Sequence, residues 1–394
     1  MVRFFCLNKY ICSKCIPPAI HSLLQEKPLT VIDVIVPSFR MEEQILLGIF
    51  KLKQPVGFKV NYLLVCDNPF VKIPPAIHSL AEEGKINLII NEVNRGSSFT
   101  RNRGIVSSKG DWMLFLDDDI VPSPDLLITY SEALQVNPDV IGFVGLTQFP
   151  EPFNMVTNAL MLNGSMAHFH MSKVKNEQPW APTANLMLNR RLLGALRFRE
   201  ELNSGGEDVE LLVRFSQKNG MLYKSLAKAV VYHPWWDNGG SQMKRMFRYG
   251  HGNATILKLP HIWKFSHLDF SNTIESVFLV ILLLPVCLAM GLSLQIPLKL
   301  LLAVLLAELL TNTIRSIKAA KKFSPALIWQ MILHKNAQEV GFFWALLKSG
   351  RWLSMCRAID FGFKKPHPSP FRLNRWKIVK LVIVLLLLSL LRSY

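Results

Sequence analysis

Three adjacent carboxylates, Asp117, Asp118 and Asp119, close an apolar run in the segment FLDDDIVPSPD, Phe115 to Asp125. At the end of a buried strand they repel one another unless a cation neutralises them. A hard divalent ion with oxygen ligands, Mg²⁺ or Mn²⁺, meets that need and usually completes its shell with substrate phosphates. The alternative is an acidic N-cap, with Asp119 capping the helix after Pro122. A second cluster is GGEDVELLVRF, Gly205 to Phe215. Two glycines make a turn, and Glu207 and Asp208 then fall at a helix start, where the dipole favours an ionised carboxylate. That suits a general base; an N-cap is again the alternative. A third segment, VVYHPWW, ends a strand at His233, which is either a structural residue or a ligand. The fourth, NRGSSFTRNRG, sets Arg95, Arg101 and Arg103 on a loop and helix start. They would hold a diphosphate there, or form a solvated basic turn.

Residues 31–37, 60–66, 86–91 and 112–116 read as short buried strands, with helical stretches near 41–52, 75–83 and 98–107. Their alternation predicts an α/β domain with a largely parallel sheet. Ligands of such sheets collect at the carboxyl ends of strands. Pro37, Asp67 and the 117–119 run all lie just past a strand end. The octapeptide IPPAIHSL occurs twice, at 16–23 and 73–80. Two copies are too few for a repeat architecture, and a Pro-Pro start suggests a helix opening in each.

In order and spacing these segments resemble the family 2 glycosyltransferases, inverting enzymes with a nucleotide-sugar-binding fold called GT-A, over about residues 30–255. VIVPSF resembles the first strand of that family, which implies a nucleotide contact at Pro37 and a base packed on Phe39. LLVCDNP resembles the second, whose Asp, here Asp67, would hydrogen-bond the base. NRGSSFTRNRGIVSSKGDWMLFLDDD resembles the long central signature. It implies donor contacts at Arg95, Arg101 and Asp118, and an Asp-x-Asp metal motif at Asp117 and Asp119. GGEDVEL resembles the element carrying the catalytic base, here Asp208 with Glu207 beside it, and VVYHP the strand giving a further metal ligand, His233. The resemblance implies a nucleotide-sugar donor, expected to be a UDP-sugar, and Mg²⁺ or Mn²⁺. Trp180, Trp235 and Trp236 would line the acceptor side or pack in the core. Two departures stand out. Asn68-Pro69-Phe70 replaces the common Asp-Gly-Ser, and Gln242-Met243-Lys244-Arg245 is followed by Met246 rather than Trp, which favours single-sugar transfer over chain extrusion.

The 394 residues are 50% hydrophobic and 19% charged, with mean hydropathy +0.24, which excludes a disordered chain. Of the net charge of +17, +13 falls from Arg315 onward, where Lys and Arg face only Glu339 and Asp360. Beside hydrophobic stretches that is how a membrane protein marks its cytoplasmic face, and it argues against a nucleic-acid partner. Residues 276–294 are uncharged and long enough to span a bilayer. Residues 296–314 make a second candidate span, with Lys299 free to snorkel and Glu308 in need of a partner. A third segment near 378–391 is a short span or a re-entrant one. The Trp329–Trp352 region reads as an interfacial helix. Six cysteines, including the Cys12–Cys15 pair and Cys6, read as reduced thiols rather than a zinc site. Lys9 and Lys14 interrupt the apolar core that a signal peptide needs. The expected organisation is an N-terminal extension (1–28), a GT-A domain (29–270) held in the cytoplasm, and a membrane region (271–394). It fits an inner-membrane enzyme of polysaccharide or glycolipid synthesis acting on a lipid-linked or saccharide acceptor. A sugar nucleotidyltransferase, which would show a Gly-rich loop after the first strand, and a non-catalytic membrane scaffold are the competing readings.

Overall fold

The computed structural model describes residues 29–202, 204–366 and 371–392. The expected N-terminal extension, with Cys6, Cys12, Cys15 and the first IPPAIHSL copy, lies outside the described residues. Strand β1 (Thr30–Ser38) turns Ile32, Val34 and Val36 to one face and Asp33 and Ile35 to the other, and all five are buried. It lies between β2 (Phe58–Cys66) and β4 (Trp112–Leu116), both parallel to it, and β3 (Asn87–Ile90) extends the parallel half. Past β4 the nine-stranded sheet continues through β8 (Asn185–Asn189), β6 (Gly142–Gln148) and β9 (Tyr223–Tyr232) to β5 (Val121–Pro122), while β7 (Glu177–Gln178) also pairs with β9. β8, β5 and β7 run against the other strands.

Helices cover both faces. α1 (Glu43–Phe50), α2 (Pro75–Glu82) and α4 (Leu126–Val136) bury Leu46, Ile49, Ile77 and Leu127 against the Val34 side. α3 (Ser97–Ser107) and α6 (Glu207–Asn219) bury Ile105, Leu211 and Phe215 against Ile35. The strands and helices expected between residues 31 and 116 are all present, their ends shifted by a few residues. The second octapeptide copy opens α2, with Pro in its first turn. One buried carboxylate sets the approach to β4. Asp33 accepts from Ser108 Oγ and from the N–H groups of Lys109 and Gly110, each at 2.7 Å, and from Asn61 Nδ2 at 2.7 Å.

Three apolar clusters meet at the other end of the domain in helix α7 (Met243–Leu257), through Met246, Ile256 and Ala254; with α5 (Met155–Leu162) it docks on the C-terminal helices. These are α8 (Thr273–Ala289), α9 (Gln295–Ala320), α10 (Pro325–Lys348) and α11 (Arg375–Arg392). Among the described residues α9 alone is long and apolar enough to cross a membrane; α8, expected to span from 276 to 294, ends at Ala289 and carries Pro285. Glu308 on α9 has the partners its position demands: Thr273 Oγ1 at 2.6 Å, Lys335 at 2.9 Å and Lys380 at 3.1 Å, one from each neighbouring helix. Lys299 donates to the carbonyl of Leu391 at 2.6 Å, capping α11, an interaction the snorkelling expectation did not include. Residues 357–363 return to the domain: β11 (Arg357–Ile359) pairs with β10 (Ser266–Leu268), and Phe363 joins Val209 and Ile262 in one cluster.

The α10 segment, expected at a membrane interface, instead packs one face on α7. Contact is so close that a Cβ at Gly250 would overlap the carbonyl of Gln338, and one at Gly341 that of Phe247. Gly341→Val should therefore lower stability by about 1–3 kcal/mol, the usual range for overpacking, with early proteolytic release of α10. Gly48→Ala, at an open helical position, should be neutral or stabilising by about 0.5–1 kcal/mol. Equal melting temperatures for Gly341→Val and wild type would show that α7 and α10 do not need this crossing.

Candidate active site

The carboxyl ends of β1 and β4, the first turns of α3 and α6 and the end of β9 converge at one edge of the sheet. β4 stops at Leu116, and Asp118 and Asp119 lie in a turn. The helix that follows starts only at Leu126, with Asp125 at its N-cap, so Asp119 caps no helix. Asp118 is buried. It accepts from Ser38 Oγ at 2.8 Å, from the N–H groups of Phe39 and Arg40, and from the Arg40 guanidinium at 2.7 Å. It therefore shapes the loop after β1. Arg40 also reaches Asp119 at 2.9 Å.

Arg101 sits at the centre. Its side chain is 9% exposed and lies 3.2 Å from Glu207, 3.5 Å from Asp117 and 3.6 Å from Asp208. Gly205 (φ +113°) and Gly206 (φ +91°) adopt a backbone that other residues rarely take, which delivers Glu207 and Asp208 to the first turn of α6. Asp208 is held from the opposite side by Thr183, whose N–H and hydroxyl each donate at 3.2 Å. Burial pushes the Asp117 carboxyl up to about 6; Arg101 opposes the shift, while Asp119 and Asp208 add to it. Burial likewise raises Asp208 to about 6, with Arg101 and Thr183 opposing and Glu207 adding. Asp208 is thus not the ordinary carboxylate expected from a helix start, although it is still mostly ionised at neutral pH. Two residues further, Glu210 is fully buried. Burial works against its charge, but hydrogen bonds from His261, Arg214 and Arg199 outweigh it and hold the carboxyl down at about 2.

His233 follows β9 directly and is 4% exposed. Its Nδ1 lies 2.6 Å from the carbonyl of Pro234, which can only accept, so Nδ1 carries the proton. Nε2 then faces Asp119 Oδ1 at 3.3 Å. Two acceptors at that distance need a second ring proton or a cation between them. A ligating histidine that gives its other N–H to a backbone carbonyl is the usual arrangement at metal sites. Asp117, the third expected ligand, turns to Arg101 instead. Among the described residues no three such side chains converge on one point. The residues fit a divalent ion held by Asp119 and His233 and completed by substrate oxygens, rather than the expected trio.

On the nucleotide side, Phe39 is 49% exposed at the mouth of the site and Pro37 lies within β1. The Asp67 carboxylate, expected to face a base, accepts from Asn91 Nδ2 at 2.8 Å and from the N–H groups of Arg95 and Gly96 at 3.1 and 2.8 Å. Arg95 stacks on Phe99 and pairs with Glu200 at 3.3 Å, away from the Arg101 cluster. Arg103 is exposed and reaches Asn91. Trp235 and Trp236 are core residues beside Phe149 and Phe169, and Trp180 Nε1 donates to the carbonyl of Phe361. Arg40 and Thr183 are site residues that sequence reasoning missed. Arg40 could have been found as the one cation beside Phe39, whereas Thr183 lies in a segment with no charge pattern to mark it.

An uncharacterized glycosyltransferase of Haemophilus influenzae is 26% identical over 160 residues, 37% of this chain, and the chain spans about half (53%) of that relative's length. Among solved structures, a mannosyltransferase of Pyrobaculum calidifontis in complex with GDP-Man and Mn²⁺ is 17% identical over 79% of this chain and 87% of its own (TM-score 0.48). TarS 1-349 of S. aureus in complex with UDP is 14% identical over 87% of this chain and 100% of its own (TM-score 0.42). Residues 33–193 match the family Glycosyl transferase family 2. The match runs from Asp33 in β1 past the whole of β8 and takes in Arg101 and the 117–119 turn, while Asp208 and His233 lie beyond it.

Proposed function

We propose that the protein moves one sugar from a nucleoside-diphosphate donor to an acceptor hydroxyl, in a single displacement that inverts the anomeric centre. The observation that carries this reading is the approach of His233 Nε2 to Asp119, with Nδ1 turned to the carbonyl of Pro234, within a site whose other carboxylates, Asp117, Glu207 and Asp208, share Arg101. A divalent ion on Asp119 and His233 would neutralise charge developing on the leaving diphosphate. Asp208 takes the proton of the attacking hydroxyl, its carboxylate aimed by the two Thr183 donors. A base raised toward neutrality is better matched to a hydroxyl than an ordinary carboxylate. Arg101 favours the ionised form of Asp208, and Phe39 offers an exposed ring to the nucleotide base.

The acceptor in this reading is lipid-linked and met at the cytoplasmic face of a bacterial inner membrane. Support comes from the apolar helix α9, from the basic chain after it, and from the close docking of α10 on the domain. An isoprenoid- or diacylglycerol-anchored acceptor would diffuse in the plane α9 occupies.

Two substitutions test the chemistry. Asp208→Asn should keep donor affinity in calorimetry but slow transfer by ~10²–10⁴, the usual worth of a general base; retention of a few per cent of the rate would move the role to Glu207. Asp119→Ala should abolish the Mn²⁺ dependence of UDP binding, and equal wild-type affinity in EDTA and in Mn²⁺ would remove the ion from the mechanism.

The raised carboxyl gives a pH test with a definite sign. Asp208 ionises at about 6 in the fold and near 3.9 when unfolded. Its charge therefore costs stability increasingly as pH rises through that window. Asp208→Asn should gain melting temperature over wild type at pH 7.5 and lose most of the gain at pH 4.5, both without metal. A difference that does not change with pH would show that Asp208 ionises as easily folded as unfolded.

A further inference from the structure

We propose that the cavity between the glycosyltransferase domain and the C-terminal helices binds a phosphate monoester. The cavity holds about 270 Å³, with Asn163 after α5 on one side and α9, α10 and α11 on the other. Its wall contains polar groups with nothing to bond. His334 is 1% exposed, and among the described residues neither ring nitrogen has a partner; Thr311 Oγ1 and Asn163 Oδ1 are likewise buried and unpartnered there. Buried polar groups are almost always satisfied, so something fills this space. Water would satisfy neutral atoms, but the charges in the wall do not balance.

Glu308 is already engaged by Thr273, Lys335 and Lys380. Glu339 is engaged by Lys335 and by the N–H of Thr273. Lys377 is paired with Asp269. That leaves Arg315, also in the wall, whose one hydrogen bond among the described residues is a 3.5 Å contact to the carbonyl of Asn163. A guanidinium that feels Glu308 only at a distance, with no carboxylate in hydrogen-bond contact among the described residues, lines the cavity with an imidazole and a hydroxyl, and all three can donate. A phosphate monoester has three terminal oxygens to receive them, and a guanidinium fork grips two at once. None of these residues belongs to the sugar-transfer site, so the inference stands apart from that reading. The phosphate has two possible sources: a lipid head group alongside α9, or free phosphate.

The test uses the full chain purified in neutral detergent and follows its melting temperature against two probes, inorganic phosphate and phosphatidic acid in mixed micelles with phosphatidylcholine. At least one should stabilise the wild type. Arg315→Gln should raise its half-saturating concentration about tenfold or more, as expected for loss of a charge-assisted pair, and His334→Asn should raise it several-fold. Stabilisation by phosphate alone identifies a free-anion site; stabilisation by phosphatidic acid where phosphate has no effect identifies a head-group site. Both outcomes support the proposal. Lys364→Gln, an exposed cation outside the cavity, is the control. If neither probe stabilises the wild type, or Arg315→Gln and His334→Asn bind as wild type does, the proposal is overturned. It also falls if Lys364→Gln weakens binding as much as they do. Should Arg315→Gln fail to fold, His334→Asn against the same control decides alone.

Discussion

One guanidinium is the counter-charge on which the catalytic edge of the sheet depends. Asp117 comes from the end of β4, Glu207 and Asp208 from the start of α6, and Arg101 from α3 lies within 3.6 Å of all three. Two like charges near 4 Å repel by about 4 kcal/mol at the effective dielectric of such a site, so these elements cannot close on one another without it. α3 must then be held with care. Its Asn102 side chain clamps Phe198 through two backbone hydrogen bonds, fixing the helix to the segment that leads into the Gly205–Gly206 turn. The arrangement leaves Asp117 and Asp208 raised even with Arg101 present. It is a site under electrostatic tension, which an added cation would relieve.

The half of the fold that carries this edge was legible because buried parallel strands are written as apolar runs. VIDVIVP, VNYLLVC and WMLFL each became a strand, and turn residues marked their ends. Residue type and position also pointed to Asp119, Asp208 and His233. Legibility failed where geometry leaves the strand. Three adjacent carboxylates at a strand end repel one another, and with the resemblance to an Asp-x-Asp motif that was the basis for one shared ion. The chain stops being extended at Leu116, and in the turn that follows Asp117 swings to Arg101 while Asp119 goes to Arg40 and His233. Neither Arg40 nor Arg101 could be assigned its partner from spacing, since every pair in the cluster joins separate elements.

The C-terminal helices show the same division. A carboxylate at position 308 in an apolar stretch announces that it needs a cation, and nothing in the local sequence says that two will come, Lys335 from α10 and Lys380 from α11. Nor does the pattern of α10 reveal that Gly341 faces Gly250's helix backbone to backbone. Small residues at a crossing let helices approach closely and rigidly. Catalytic domain and apolar helices are thereby joined through packing and buried charge rather than through a flexible linker. A boundary at residue 270 divides the chain by composition, but residues 357–363 return across it to cover the end of α6 through Phe363 and Val209.

Counting the donors on each carboxylate separates those that build the fold from those free to do chemistry. A carboxylate has about four lone-pair directions. Asp33 receives four donors and Asp118 four, from Ser38, Arg40 and the backbone of the loop after β1. Asp67 receives three, which bind β2 to the Arg95–Gly96 turn and leave little for a nucleotide base. Each of these has its charge consumed by the protein itself. Asp119 is different: beside the Arg40 guanidinium its other neighbour is His233 Nε2, at 3.3 Å, a contact that a cation between them would complete. Asp208 has its two Thr183 donors and a distant Arg101, with capacity left over. Asp119 and Asp208, like Asp117 with its long contact to Arg101, are held in place without being satisfied, the condition a ligand for a cation and a base for a proton must both meet.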